Sequence, residues 1–526
     1  MSINSFVYKL KHFLVLSVLS TAGLCLNATL NAAVYPGDDW ASKTPEQMGV
    51  DRDALNRAVQ KIRDYSGSDS ADEVLIIRDG YVIYSGSDTY NWHEIWSVTK
   101  SFTGTALGLL IDEGRLTLDS KVANQLPELA NQYSNVRYKH FASHTSGYNA
   151  EGASRWCNGC NEDWSTTPYR PANALFSPGS QFLYWDEAMM MFSRALTKEL
   201  GDSLKNYLYR KIANPIGMDF EWNTEGSIDG IGINNGGGWM FTHARDLARF
   251  AYLYEREGNW NGTQLISKDW INKATQPQHS NTIPANSLRT SPEGGPGVYG
   301  YNFWVNGVQS NGQRLMPNAP AKTYYMSGLN HNVAFIMPEW DMVIVRMGQD
   351  GNPSVGKHNA WNDILGTLAP GVGDIPGADP KPVDPQPVST NVRLKDNWNG
   401  FYINTNSEQE WQQISMQTLN QNWGSMKWYL EDAGDGNYRL KNEWTGLYLN
   451  ATSDEEWTQI TTAALREDWG SMKWQLETVA GDASKVRLKN VWSGYYLNSA
   501  AEAGDAPLLA AKRDEWGSMI FDREAF

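Results

Sequence analysis

Along the first part of the chain the apolar positions change period several times, and each change marks an element. The run Phe13-Leu14-Val15-Leu16-Ser17-Val18-Leu19, with Lys9 and Lys11 before it and the small pair Ala32-Ala33 after it, has the pattern of an export signal. It is too short for a comfortable membrane span. From Val74 to Tyr84 two apolar runs flank Asp79-Gly80, which predicts a hairpin turning at that dipeptide. From Ile95 to Leu110 the sequence predicts an apolar helix with Ser97 in its first turn. Further helices are expected around Ala188 to Phe192 and Ala244 to Phe250, and strands around Val298 to Trp304 and Met342 to Arg346. Strands at both ends with helices between them predict one antiparallel sheet, its first and last segments paired, packed against helices.

The pattern stops at residues 369–389, a Pro/Gly/Asp-rich stretch that reads as a semi-extended spacer. Beyond it, residues 390–526 repeat themselves three times. Val392-Arg393-Leu394-Lys395 recurs from Tyr438 and from Val486, and each copy ends on Trp-Gly-Ser-Met, at Trp423, Trp469 and Trp516. No single copy could bury its apolar face alone, so three copies predict a closed all-β body with pseudo-threefold symmetry. Each copy also carries Trp-x-Gly-x-Tyr-x-Asn, placing Trp398, Tyr402 and Asn404, then Trp444, Tyr448 and Asn450, then Trp492, Tyr496 and Asn498 in equivalent positions. An aromatic face beside an amide suits sugar recognition, and these nine are the candidate carbohydrate-binding residues. The alternative makes the tryptophans structural, and for Trp423, Trp469 and Trp516 a place in the core or its cap is the expectation.

Composition narrows the picture. With 526 residues, 41% hydrophobic and 20% charged, the chain is globular and long enough for two or three domains: an export signal (1–33), a mixed domain (34–368), the spacer (369–389) and the repeats (390–526). A formal net charge of -15 offers no basic footprint for nucleic acid. The signal implies a secreted or periplasmic protein. A lipoprotein reading of Leu24-Cys25 is disfavoured, because the residue before a lipidated cysteine is normally small. No other apolar stretch is long enough to span a bilayer. After export Cys157 and Cys160 remain, and outside the cytosol a tight disulfide loop is preferred over redox or metal chemistry.

Candidate chemistry starts at Ser97-Val98-Thr99-Lys100. Residues three apart stand on one helix face, so Lys100 can reach the Ser97 hydroxyl near the positive end of the helix dipole. If desolvated and near other cations or phenols, Lys100 can serve as the base for a serine nucleophile. The bland alternative is a helix cap and a solvated lysine. Ser-x-x-Lys alone is weak, and a second occurs at Ser354-Val355-Gly356-Lys357, within Gly351 to His358, which almost spells a phosphate-binding loop. His358 there replaces the Ser or Thr that magnesium requires. No His/Asp/Glu spacing suggests a metal site, and no cofactor is expected. A triad through His144 or His331 is disfavoured because Gly-x-Ser-x-Gly is missing.

The order of motifs resolves more. Ser97-Val98-Thr99-Lys100, Gly114 to Asp119, Ser143-His144-Thr145-Ser146-Gly147-Tyr148, Pro178-Gly179-Ser180, Gly236-Gly237-Gly238-Trp239-Met240 and Tyr299-Gly300-Tyr301 together resemble the penicillin-recognising serine hydrolases. The branch is that of class C β-lactamases, D-alanyl-D-alanine carboxypeptidases, esterases and 6-aminohexanoate-dimer hydrolases. The resemblance implies an α/β fold in which an antiparallel sheet packs with helices, and an acyl-serine intermediate. It makes Tyr184, in Tyr184-Trp185-Asp186, a proton shuttle, and Asp186 stands where the family has Asn. Met326-Ser327-Gly328 takes the place of the third motif and contains no cation. The backbone N–H groups of Ser97 and Leu329 then form the oxyanion hole, and Asp186, Trp185, Ser327, Gly328 and His331 line the pocket. Trp156, Trp164, Trp185 and Trp239 suggest an aromatic mouth. The repeats resemble the β-trefoil of ricin-B-type lectin modules, with Ser-Met-Lys-Trp at Ser425 and Ser471 and Ser-Met-Ile-Phe at Ser518 in place of the usual Gln-x-Trp. The expected activity is hydrolysis of small esters or amides by an enzyme tethered to a polysaccharide or glycan. The alternatives are a β-lactamase or D-alanyl-D-alanine peptidase, and a non-catalytic carbohydrate-binding surface protein.

Overall fold

Asp79 and Gly80 both take positive φ, 46° and 81°, which is the geometry a two-residue hairpin turn requires. The runs on either side therefore pair as Val74–Arg78 and Tyr81–Ser85. The structure is a computed structural model. It describes residues 33–154, 165–288, 293–349, 357–376, 391–433, 437–466, 469–479, 482–500, 507–512 and 517–525. The export-signal residues 1–32, Cys157, Cys160, Trp156, Trp164 and Trp516 lie outside them. Two compact units divide at Asp379.

In the first unit the hairpin is the edge of a six-stranded antiparallel sheet in the order Trp304–Val305, Tyr324–Ser327, Val333–Met337, Met342–Arg346, Val74–Arg78, Tyr81–Ser85. The first and last long strands are neighbours, with Leu75 opposite Val345 and Ile77 opposite Val343, as the sequence leads one to expect. Both sheet faces are buried, which is why these strands read as continuous apolar runs. Leu75, Ile77, Val343 and Val345 join the core that contains the helix Thr99–Asp112. Val74, Ile76, Met342 and Ile344 face the other way, into the core holding the helices Arg52–Tyr65 and Lys357–Leu368. The strand expected from Val298 to Trp304 shrinks to Trp304–Val305, because Asn302 at φ 62° reverses the chain just before it. Among the described residues no helix is long and apolar enough to cross a membrane.

The spacer begins later than residue 369. Ala369–Gly371 forms a short 3-10 turn, and the N–H of Gly373 donates to Gly49 O at 2.8 Å. The buried Arg78 guanidinium secures this closure by donating to Gly373 O (2.6 Å), Met48 O (2.7 Å), Gly49 O (3.1 Å) and Trp340 O (3.0 Å).

Among the described residues of the second unit twelve strands fall into three sets of four. Six of them, Asn391–Asp396, Trp428–Asp432, Asn437–Asn442, Trp474–Val479, Asp482–Asn490 and Phe521–Ala525, pair in sequence and then close, because the last also pairs with the first. The other six form three hairpins. Equivalent residues fill the interior: Leu394, Leu440 and Leu488, and then Trp428, Trp474 and Phe521, the last members of the Ser-Met-x-aromatic signatures. The indole N–H of Trp428 donates to Ile403 O and that of Trp474 to Leu449 O, both at 3.2 Å.

Replacing Arg78 by Met strands several buried carbonyls at once. Hydrogen bonds to a charged group are worth roughly 1.5–3 kcal/mol each, so the expected loss is at least about 3 kcal/mol. Denaturant unfolding of the first unit measures it, and an unchanged midpoint would contradict the role given to this guanidinium.

Candidate active site

The short strand His93–Glu94 pairs with Met240–Thr242 and delivers the chain into a 3-10 turn, Trp96–Val98, immediately ahead of the Thr99–Asp112 helix. Ser97 sits in that turn, half-buried, rather than in the α-helix proper. Trp96 before it is held at φ 51°, a region that costs a non-glycine residue free energy and clusters at functional sites.

Lys100 is only 1% exposed. Its Nζ donates to Ser97 Oγ at 2.8 Å and to Gly237 O at 3.0 Å, and forms an ion pair with Asp186 Oδ1. Three N–H donors thus meet three acceptors. Of the two kinds of neighbour that would favour a neutral Lys100, cations and phenols, the described surroundings show the Tyr184 ring, its centroid 4.8 Å from Nζ, together with the Asp186 carboxylate, which acts the other way. An adjacent carboxylate favours the ammonium over the amine. The cradle depends on a residue the sequence marked only as part of a likeness. A Cβ on Gly237 would lie 2.8 Å from Asp186 Oδ1, so any side chain there would push the carboxylate off Lys100. Asn235 Oδ1 shapes this loop by accepting from the N–H groups of Gly237 (2.9 Å) and Gly238 (3.1 Å).

Tyr184 is buried with its ring stacked on Trp304 (5.3 Å) and tilted against His144 (4.5 Å). His144, itself at φ 55°, accepts the N–H of Trp185 on Nδ1 at 3.2 Å, while its carbonyl accepts from Leu183 N. It holds the backbone around Tyr184. Trp185 is turned into the core, its indole N–H donating to Glu187 Oε2 at 3.2 Å, so its expected place in the pocket is corrected. Glu187 also accepts from Ala150 N at 3.0 Å, and burial raises its carboxyl to about 7 against these hydrogen bonds.

The third motif gains the cation it lacks in sequence. Met326 is in the core, whereas the Ser327 hydroxyl, also buried, donates to Glu293 Oε1 at 2.5 Å. Lys357, the first residue of its helix, donates to Ser327 Oγ at 3.1 Å and to Gly328 O, and pairs with Glu293 at 3.4 Å. Gly328 is pressed against the nucleophile's own turn: a Cβ there would lie 2.3 Å from Ile95 O and 3.2 Å from Ser97 N. Leu329 follows, exposed, and His331 beside Lys357 and Arg346 is pushed down to about 4 by burial and those two cations, so it is neutral near pH 7. Among the described residues no group of three His, Cys, Asp or Glu could hold a metal ion.

In the second unit the Trp-x-Gly-x-Tyr-x-Asn expectation divides. Tyr402, Tyr448 and Tyr496 are buried, with hydroxyls donating to Glu524 (2.8 Å), Glu431 (2.8 Å) and Glu477 (2.9 Å), and Asn404, Asn450 and Asn498 are buried as well. These tyrosines are structural. Trp398, Trp444 and Trp492 are exposed, and so are Trp423 and Trp469, against expectation, because the Gly-Ser-Met turn after each sends Met426 or Met472 inward instead. Sequence reasoning passed over Trp411 and Trp457, both at positive φ and 49% exposed; their absence from the third copy hid them. Trp411, Trp469 and Trp492 line a 480 Å³ pocket with Asn450, Thr452 and Ser471.

Residues 60–367 match the Beta-lactamase family. A 6-aminohexanoate-dimer hydrolase of Paenarthrobacter ureafaciens is 23% identical over 308 residues, 50% of this chain and 76% of that protein. An uncharacterized protein of Alkalihalophilus pseudofirmus is 23% identical over 264 residues, 48% of this chain and 71% of the other. A penicillin-binding protein homolog from Caulobacter crescentus, of known structure, is 16% identical with a TM-score of 0.46, covering 63% of this chain and 100% of its own.

Glu187 ties Trp185 to the strand Ala150–Ser154, and burial raises its carboxyl although those hydrogen bonds favour the charged form, so ionising it costs the folded state. Its contribution to stability is full below the usual value of about 4.5 and is lost as pH rises through about 7. Thermal unfolding at pH 5 and pH 8 should show a larger loss for the parent than for Glu187→Gln, whose neutral amide keeps both acceptor contacts. Identical losses would contradict the assignment.

Proposed function

Because the chain belongs to the β-lactamase family, whose members are serine hydrolases, we propose that it hydrolyses small esters or amides through an acyl intermediate on Ser97. The observation that carries this reading is the buried Lys100 ammonium 2.8 Å from Ser97 Oγ. In the proposed cycle Lys100 passes one proton to Asp186, leaving a neutral amine beside a neutral acid, a pair that a buried site accommodates. The amine takes the hydroxyl proton as Oγ bonds to the substrate carbonyl carbon. The resulting oxyanion faces the backbone N–H groups of Ser97 and Leu329. On collapse the bond to the leaving alcohol or amine breaks, and Lys100 returns a proton to it through the Tyr184 hydroxyl. Water then repeats the sequence and releases the acid.

Two residues favour esters over lactams and free peptide C-termini. Met326 gives no cation for a substrate carboxylate, and Asp186 replaces the amide that would bind an acylamide carbonyl. We read the second unit as a β-trefoil that holds the enzyme on a polysaccharide outside the cytoplasm, in keeping with the export pattern at the N-terminus. The closed ring and its three hairpins support the fold reading, and the half-exposed indoles of Trp411, Trp469 and Trp492 around one pocket support the glycan. An indole stacks on the flat apolar face of a pyranose, while Asn450 and Ser471 supply polar partners.

A fluorophosphonate probe should label the parent and leave Ser97→Ala unlabelled; an unlabelled parent would contradict the nucleophile. Lys100→Ala should cost at least about a thousandfold in ester hydrolysis, since general-base assistance is worth roughly 10²–10⁴, and near-normal turnover would remove Lys100 from the chemistry. Asp186→Asn should raise anilide hydrolysis relative to p-nitrophenyl ester hydrolysis by about two- to tenfold, the worth of one hydrogen bond. An unchanged ratio would sink the specificity argument. Pull-down of the full-length Ser97→Ala protein on insoluble xylan and cellulose should weaken on changing Trp411, Trp469 and Trp492 to Ala, and retention equal to the parent would end the glycan reading for this pocket.

A further inference from the structure

Lys357 stands where a lysine should not be. It belongs to the helix Lys357–Leu368, and its side chain is largely buried. Something must hold it, and three acceptors do: Glu293 Oε1 at 3.4 Å, Ser327 Oγ at 3.1 Å and Gly328 O. Glu293 is 1% exposed and receives the Ser327 hydroxyl as well, so cation, hydroxyl and carboxylate form one hydrogen-bonded cluster, with the Arg346 cation also acting on Lys357. Burial pulls the lysine toward its neutral form and Glu293 pulls it back.

The informative partner is Gly328 O. A peptide group is planar and trans, so its C=O and N–H point in opposite directions. The carbonyl of Gly328 belongs to the same peptide unit as the N–H of Leu329, and Gly328 abuts the Ser97 backbone, 3.2 Å from the added Cβ position to Ser97 N. We propose that Lys357 is a positioning residue for the oxyanion hole: its ammonium fixes the plane of the Gly328–Leu329 peptide and polarises its N–H toward the reacting carbonyl. This inference rests on acylation of Ser97 as read above. Hydrogen bonds in a buried chain strengthen one another, and a charged donor at one end adds most. It also separates Lys357 from a substrate-binding cation, because its three donors are already committed within the protein. The stray Ser-x-x-Lys of the sequence thereby acquires a use: its lysine is the remote counterpart of the cation missing from Met326-Ser327-Gly328.

The test is the pair Lys357→Met/Glu293→Gln, which removes the cation without leaving Glu293 as an unpaired buried charge. With circular dichroism and unfolding midpoint close to the parent, kcat for p-nitrophenyl butyrate should fall roughly ten- to a hundredfold, part of the 10²–10³ that a whole oxyanion donor contributes. KM should change less than about threefold, and affinity for an alkylboronic acid, which adds to the serine as a tetrahedral anion, should fall in parallel with kcat. Lys357→Arg should recover most of the rate. Parent-like kcat in the folded double variant, or a rise in KM alone, would overturn the inference while Ser97→Ala remains inactive. Hydrolysis persisting in Ser97→Ala would overturn the underlying reading, and this one with it.

Discussion

The first unit is organised around one buried ammonium. Lys100 is almost fully buried, so its three protons must be met by the protein. Each partner comes from a different segment: Ser97 from the turn before its own helix, Gly237 from the glycine loop, and Asp186 from the first residue of the helix Asp186–Leu200. Satisfying the lysine therefore brings three parts of the fold to one point. The Ser97 hydroxyl is left both held and half-open to solvent. The glycine at 237 and the strained Trp96 are local consequences, since the carboxylate needs space and the serine needs to face outward.

A second buried lysine repeats the device at the neighbouring strand end. Lys357 is neutralised by Glu293 and directed at a backbone carbonyl, whereas Lys100 is neutralised by Asp186 and directed at a hydroxyl. Each cation sits a bond or two from an atom that acylation would use, and each carries its own carboxylate. Among the described residues no uncommitted positive charge stands at Met326-Ser327-Gly328, which is the physical argument behind the proposed preference for neutral esters over substrates anchored by a carboxylate.

What could be read in the sequence was what local spacing decides. Asp79-Gly80 fixed a hairpin, the continuous apolar runs fixed doubly covered strands, and Ser97 with Lys100 lay one helical turn apart. What could not be read depended on partners far along the chain or on the direction of a side chain. Lys357 reaches Gly328, 29 residues earlier in the chain, and nothing near residue 357 announces it. Trp185 adjoins a candidate site residue on either side yet turns inward to Glu187. In the repeats the same tripled motif gave three exposed indoles and three buried tyrosines, because each of these tryptophans sits in the turn ahead of the strand that begins with the tyrosine. Trp469 stays outside while Met472, three residues on, is buried, and which of the two turns inward has no signature in spacing.

The central claim is a covalent bond between Ser97 and the acyl group. Mixing the protein with p-nitrophenyl butyrate, quenching in acid within the first turnover and analysing the digest by mass spectrometry tests it directly. A butyryl mass increment on the peptide containing Ser97 is the expected result. Product release with no acylated peptide at any quench time, or acylation at a different residue, would contradict the account.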